Sequence, residues 1–362
     1  MAIPNRMNGV VLTGHGGLET LVWREDLPVP QPGRDEVLIR VLAAAVNNTD
    51  VNTRTGWYSR SVRGDTASGA TEGYEPADGA VGGWAGKPLD FPRIQGADCC
   101  GEIVAVGADV SRARVGERVL VRTMQSIQGE GNRPSVWTFG SECDGGFAEF
   151  AVARGKDALA VTSDLSDVEL ASFPCAYSTA EGMLQRGVVG AERVLVTGAS
   201  GGVGSAAIQL AKRRGAHVTA VTSASKAADL LALGADETLD REEELPALAF
   251  DVVLDLVGGP RWEKVIGSLH NGGRYVTSGA IAGPIVELDL RTLYLRDLSL
   301  LGSTFQPDNV FEDLVRYIEA GEVRPVVSAV FPLRELRAAQ EAFLAKSFVG
   351  KIGIQVAADS EP

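Results

Sequence analysis

Two short stretches of this chain carry residue types whose chemistry stands out from their surroundings. The first runs Val194-Leu195-Val196-Thr197-Gly198-Ala199-Ser200-Gly201-Gly202-Val203-Gly204, an apolar run, a glycine-rich turn and then a helical pattern. Glycines at such a turn let backbone N–H groups approach a pyrophosphate, and the helix dipole favours the same negative charge. Ser200, Gly201, Gly202, Val203 and Gly204 are therefore candidate cofactor-binding residues. A glycine-rich turn with no ligand is the bland alternative. Against it stand the strand before, the helix after and a second strand at 217–222, the context this motif requires. The end of that second strand bears on the cofactor. An NAD site has an Asp or Glu there for the ribose hydroxyls, whereas a 2′-phosphate needs donors and positive charge. Here the residues are Thr222-Ser223-Ala224-Ser225-Lys226, with no acid before Asp229. NADPH is the expected cofactor, with Ser223, Ser225 and Lys226 on its 2′-phosphate. A solvated lysine in a first helical turn is the competing reading of Lys226.

The second stretch is VNNTDVNTRTGWY, residues 46–58, which follows an apolar run and contains no Cys, His or Glu. Asp50 and Asn52 read as loop-capping residues. The stretch also holds Asn47, Asn48 and Arg54 and ends on Trp57-Tyr58.

These residues need elements to hold them. From 36 to 153 the apolar runs are short, β-branched and separated by glycine, as in EVLIRVLAAAV, CGEIVAVG, GERVLVR and GGFAEFAVA, which predicts a β-rich barrel or sandwich. From 191 to 305 strands alternate with helical periods, which predicts a parallel sheet covered by helices on both faces. Past 308 come two helical patterns and a final strand, GKIGIQV, expected to return to the first domain because they cannot bury their own faces. Residues 59–93 fit neither half; a glycine-rich, aperiodic connection of that length is expected to be an ordered extension near a site.

Composition narrows the class. With 362 residues, 45% hydrophobic and 22% charged, the chain reads as two globular domains. A net charge of -13 argues against a nucleic-acid partner, which asks for a basic face. No run of about 18 uncharged apolar residues occurs, and MAIPNRMNGVVL lacks a signal-like core, so no membrane partner and a cytoplasmic location are expected. Cys99, Cys100, Cys143 and Cys175 are too scattered for a disulfide framework and read as reduced core residues. His15, His217 and His270 read as structural.

The glycine turn, together with Gly101-Glu102-Ile103-Val104-Ala105-Val106-Gly107, Val110 and Gly116-Glu117-Arg118-Val119, resembles the medium-chain dehydrogenase/reductase superfamily over essentially the whole chain. Ala199 to Gly204 is similar to the AxGGVG variant of its quinone oxidoreductase branch. The resemblance implies an α/β protein with a GroES-like β-rich catalytic domain at 1–160, completed by 306–362, and a Rossmann doubly wound domain at 161–305. It also implies a cofactor in the cleft between them and a homodimer joined through the sheet edge near 298–304. Further cofactor contacts implied are Thr179 beside Ser178, Asp255, Ser278, Gly279 and Lys351; each is alternatively a turn or helix-start residue.

Zinc alcohol dehydrogenases of that superfamily hold a catalytic metal at positions that fall here on Asn47, Ala97, Asp98 and Cys175. A His and a thiolate, ligands that zinc favours, are missing, as is the four-cysteine structural lobe, so no metal is expected. Without a Lewis acid, substrates whose charge delocalises after hydride addition are favoured: a quinone or an α,β-unsaturated carbonyl. Asn47-x-x-Asp50-x-Asn52 then Gly56-Trp57-Tyr58 resembles the NPSDIN…GxY segment of zinc-free enoyl thioester reductases, with Asn48-Thr49 in place of Pro-Ser. That likeness makes Tyr58 the candidate general acid or oxyanion donor and Asn47 a neutral amide donor. Aromatic packing beside Trp57 is the other reading of Tyr58. The expected partner is a small electrophile. A zinc-free alcohol or aldehyde reductase and a non-catalytic NADPH-binding protein are the alternatives.

Overall fold

The computed structural model describes residues 3–74, 88–128 and 134–357. Its first half is organised around Glu36–Val46, an eleven-residue strand buried along nearly its whole length. Side chains alternate across a strand, and both alternating sets here are apolar. Val37, Ile39 and Val41 enter one core, while Leu38, Ala44 and Val46 enter another on the opposite face. Strands Cys100–Val106 and Phe150–Arg154 pair with it antiparallel. A three-stranded sheet of Leu21–Pro28, Arg6–Leu12 and Arg93–Ile94 lies apart from this larger one.

The last strand, Lys351–Gln355, also pairs antiparallel with Glu36–Val46, setting Ile352 opposite Val46 and Gln355 opposite Ala43. Continuing that register by one residue puts Lys351 opposite Asn47. A position near the end of the chain is thereby fixed against one near its beginning.

The second half forms a six-stranded parallel sheet in the order Glu237–Asp240, His217–Thr222, Arg193–Val196, Phe250–Asp255, Leu269–Thr277, Ser299–Gly302. In chain order these are third, second, first, fourth, fifth and sixth, so the strand order reverses beside Arg193–Val196. That is where ligands of doubly wound sheets bind, outside the carboxyl ends of the strands. The GroES-like and Rossmann expectation holds.

The tail packs against both halves. Helix Asp308–Glu319 buries Phe311, Leu314, Val315 and Ile318 in the core shared with Met183 and Leu184 of the cofactor-sheet side. Its apolar stripe at i, i+3, i+4 and i+7 fits helix Pro174–Arg186 there, while its start also meets the first half, where Arg122 donates to Asp308 Oδ1 at 2.6 Å; pairing with the first-half sheet begins at Val327–Pro332. Helix Leu336–Leu344 does return as expected, burying Leu336, Ala339 and Phe343 with Leu12, Val46 and Val51. Among the described residues no helix is long and apolar enough to cross a membrane.

Candidate functional site

The glycine turn has the geometry its sequence suggested. Gly198 sits at φ +58°, a conformation that glycine adopts without strain. A Cβ on Gly204 would lie 2.4 Å from the Gly198 carbonyl oxygen and 2.5 Å from Ala199 Cα, so glycine is required for helix Gly202–Arg213 to start against its strand. A Cβ on Gly201 would meet nothing nearer than 3.5 Å. The first turn of the helix therefore leaves open room at Gly201 and none at Gly204. From the other half of the chain, the Gly350 N–H donates to the Ser200 carbonyl at 2.9 Å. The last strand is thus tied to the turn it passes.

Around this turn the other candidates take distinct places. Thr179 lies one helical turn beyond Cys175 on Pro174–Arg186 and is 9% exposed. Ser278 and Gly279 follow the end of Leu269–Thr277; a Cβ on Gly279 would lie 3.1 Å from the Leu256 carbonyl, so the two strand ends meet there. Asp255 does other work than expected. Its Oδ1 accepts from the Thr197 hydroxyl at 2.5 Å and the Val257 N–H at 2.9 Å, and its Oδ2 accepts from the Tyr275 hydroxyl at 2.5 Å. Buried at 1% exposure, this carboxylate fastens three strand ends together and has no oxygen facing a ligand.

At the end of His217–Thr222 a basic group gathers. The Ser223 and Ser225 hydroxyls are 3.1 Å apart and exposed, and the Lys226 ammonium donates to the Lys346 carbonyl at 2.6 Å. Burial and the neighbouring Arg241 both lower the pKa of Lys226. The Lys346 ammonium donates to Asn48 Oδ1 at 3.1 Å. Sequence reading missed Arg241 and Lys346: the first follows the third strand rather than the second, and the second arrives from the far end of the chain. Only a basic residue just past a strand of the sheet was there to suggest Arg241.

Beneath the turn lies a closed polar cluster. The Lys351 ammonium donates to Asp98 Oδ2 at 2.8 Å, Asn47 Oδ1 at 2.5 Å and the Val46 carbonyl at 3.1 Å. Asn47 Nδ2 donates to Asp98 Oδ2 at 2.7 Å and the Ala45 carbonyl at 3.3 Å. An ammonium only donates and a carboxylate only accepts, so the orientation of the Asn47 amide follows. Asp98 Oδ1 accepts the Cys175 N–H at 2.7 Å. Asp50 takes the N–H groups of Asn47 at 2.8 Å and Ala97 at 3.1 Å. Burial first, and Asp98 after it, raise the pKa of Asp50 to about 7. Burial and Asp98 likewise push the Cys175 thiol well up, which keeps it protonated at neutral pH. Two expectations change here. Asn47 has both amide hydrogens engaged, so it does not present a free donor; Lys351, 2% exposed, points inward to Asp98 rather than out to the turn.

Tyr58 stands at the other end of helix Asn48–Thr55 from Asn47, separated by roughly 12 Å of helix rise. The helix ends at Gly56 with φ 75°, and half-buried Tyr58 meets Trp57 edge-on with ring centroids 5.6 Å apart. Beyond it, residues 59–74 reach the cofactor sheet, where the Thr66 N–H donates to the Ile281 carbonyl at 3.0 Å. Fully buried Arg54 pins this extension by donating to the carbonyls of Gly16 and Ala70 and to Gln340 Oε1. Residues 75–87 of the 59–93 extension lie outside the described residues. His15 is structural as expected: its Nδ1 donates to the Thr53 carbonyl at 2.8 Å.

Two family models match. Residues 33–163 match the alcohol dehydrogenase GroES-like domain and residues 202–320 the zinc-binding dehydrogenase model. The chain belongs to the medium-chain dehydrogenase/reductase superfamily, a family of oxidoreductases that bind a nicotinamide cofactor. It is similar to the acryloyl-coenzyme A reductase of Metallosphaera sedula, at 30% identity over 96% of this chain and 99% of that one. The 2-methylene-furan-3-one reductase of Solanum lycopersicum is 30% identical over 92% of this chain and 74% of its own. A solved structure from Sinorhizobium meliloti, described as an alcohol dehydrogenase, superposes with a TM-score of 0.85 at 45% identity, covering 98% of this chain and 97% of that one.

Proposed function

We propose that this protein is a zinc-independent, NADPH-dependent reductase of an α,β-unsaturated carbonyl or a quinone. The observation that carries the reading is the cluster at the positions where resemblance puts a catalytic metal. Zinc sites are built from thiolates, imidazoles and carboxylates around an open centre. Here Asn47 supplies an amide, no imidazole is present at these positions, and the Lys351 ammonium already lies 2.8 Å from Asp98. Among the described residues no group of three or more His, Cys, Asp or Glu is arranged to hold a metal. These residues do not fit zinc.

The residues do fit a dinucleotide. Gly201, Gly202, Val203 and Gly204 would hold the pyrophosphate at the helix N-terminus, with open space beside Gly201. Ser223, Ser225 and Lys226, joined by Arg241 and Lys346, would hold the 2′-phosphate, since a basic group in a chain of net charge -13 suits an anion. NADPH, when bound, supplies a hydride. The chain's own part is to bind the conjugated substrate under the 59–74 extension and to meet the charge that develops on its oxygen. Tyr58 is the side chain assigned to that oxygen, on the likeness of Gly56-Trp57-Tyr58 to the GxY segment of zinc-free enoyl thioester reductases. A homodimer is proposed through the open edge strand Ser299–Gly302, near exposed Leu290, Tyr294 and Leu295. Membrane and nucleic-acid partners are not part of the proposal.

NADPH oxidation measured against enones, quinones, enoyl thioesters and saturated aldehydes, each with and without a chelator, tests the reading. Turnover of conjugated substrates that chelation leaves intact is expected. Turnover confined to saturated aldehydes and abolished by chelation would refute it. Tyr58→Phe should lower turnover about a hundredfold or more, the size of a general-acid contribution, with NADPH binding unchanged; full activity would remove Tyr58 from the mechanism.

A further inference from the structure

The cluster beneath the glycine turn draws its members from across the chain. Asn47 comes from the end of the central strand, Asp98 from the segment before Cys100–Val106, Cys175 from helix Pro174–Arg186 and Lys351 from the last strand. The stem of Lys351 passes under the turn, where a Cβ on Gly202 would lie 2.7 Å from its Cδ. Its ammonium is 2% exposed and has three acceptors: Val46, Asn47 and Asp98.

We infer that Lys351 is a built-in replacement for a metal ion: a single fixed positive charge that neutralises Asp98, orients Asn47 and shuts divalent cations out of the cluster. This rests on the zinc-independent reading above and names the side chain responsible for it. Two features separate it from an ordinary buried ion pair. The groups around the ammonium are the ones that resemblance places around a metal, with Asn47 and Asp98 in direct contact and Cys175 joined through its N–H on Asp98 Oδ1. The arrangement is also full. Each ammonium hydrogen has an acceptor and each Asn47 amide hydrogen has one, so a cation gains the oxygens of Asn47 and Asp98 only by expelling Lys351. Asp50 is engaged as well, each of its oxygens taking a backbone N–H.

Removing the ammonium should then turn the cluster into a cation site. In full-length Lys351→Ala, Asp98 Oδ2, Asn47 Oδ1 and the Val46 carbonyl, the three acceptors of the lost ammonium, would surround vacated space. Native and variant protein are dialysed against zinc chloride or cobalt chloride and freed of excess ion. Metal content is measured, together with the visible absorption of the cobalt form. Native protein is expected to retain traces, and Lys351→Ala about one equivalent per chain, with a visible cobalt absorption that the native protein lacks. Lys351→Ala/Asp98→Asn should lose that metal again. The inference is overturned if native protein retains about one equivalent, or if folded Lys351→Ala retains no more than native. Should Lys351→Ala fail to fold, Lys351→Gln keeps a polar stem without the charge. A rise in its melting temperature on adding zinc, absent in the native protein, supports the inference; no rise overturns it. Turnover on the same preparations separates the two failures. A native enzyme that reduces conjugated substrates in chelator, beside a metal-free Lys351→Ala, sinks this inference alone, whereas native turnover that needs zinc sinks the earlier reading as well.

Discussion

The turn at 198–204 and the cluster beneath it nearly touch, yet they are built on opposite principles. Above, the site is backbone: glycines remove side chains, N–H groups face outward at a helix start, and Gly201 borders open space. Below, the site is side chains, and each polar group of Lys351, Asn47 and Asp98 already serves another. The difference teaches that polar residues at a motif position are available for chemistry only if their neighbours leave them so. Asn47 has the right type and place to donate to a substrate oxygen, and its hydrogens go to Asp98 and Ala45 instead.

The largest effect should come from breaking the lower site. Asp98→Asn leaves the Lys351 ammonium buried with only neutral acceptors. Breaking one side of a buried pair costs about 3–5 kcal/mol, whereas replacing both partners by apolar or neutral groups is often near neutral. Chemical denaturation of Asp98→Asn and of Asp98→Asn/Lys351→Met checks this. The double variant should regain most of the stability lost by the single one. If the single variant is as stable as the native protein, the cluster is not the closed network described here.

The upper site should break in two distinguishable ways. Gly204→Ala gains about 1 kcal/mol of helix propensity. It also places a Cβ 2.4 Å from one backbone atom and 2.5 Å from another, and such overpacking costs typically 1–3 kcal/mol. Net destabilisation is expected, with weaker NADPH binding. Gly201→Ala has no such clash and lies at φ -76°, so the melting temperature should hold while NADPH affinity falls roughly tenfold, about 1.4 kcal/mol. Unchanged affinity in Gly201→Ala would mean that the open space is not where the pyrophosphate lies.

How much of this was legible follows from the same contrast. A backbone site announces itself locally: seven consecutive residues, a strand before and a helix after carry the whole signal, and a parallel sheet covered by helices follows from alternating periods. The long strand 36–46 was equally readable, because its apolar run from Val37, broken only at Arg40, fits a strand covered on both faces. Lys351 could be placed by resemblance near the cofactor, but its direction depends on a register between strands some three hundred positions apart. Helix Asp308–Glu319 was only partly readable for a related reason: its apolar stripe shows that a face is buried, not which partner covers it. Asp255 looked like a ligand because it ends a strand at the right sheet edge. The hydroxyls that occupy it come from Thr197 and Tyr275, on neighbouring strands.

Between the two extremes lies the basic group at Ser223, Ser225, Lys226, Arg241 and Lys346, made of side chains that remain open to solvent. Arg241 is 71% exposed and its nearest acid, Glu242, is 3.9 Å away. Exposed charges contribute modestly and are screened by salt, so each should matter less than either buried feature. Lys226→Ala and Arg241→Ala are each expected to raise KM for NADPH by about tenfold or less, near 1.4 kcal/mol, and to leave KM for NADH unchanged. The native protein's KM for NADPH should itself rise with ionic strength. Thr222→Asp/Lys226→Ala goes further, because it adds a carboxylate that repels the 2′-phosphate and accepts from ribose hydroxyls; its preference should move toward NADH. Steady-state kinetics with both cofactors decides the matter. A preference for NADPH that survives all three variants would place the 2′-phosphate elsewhere, and the basic group would then be surface charge that the fold happens to collect.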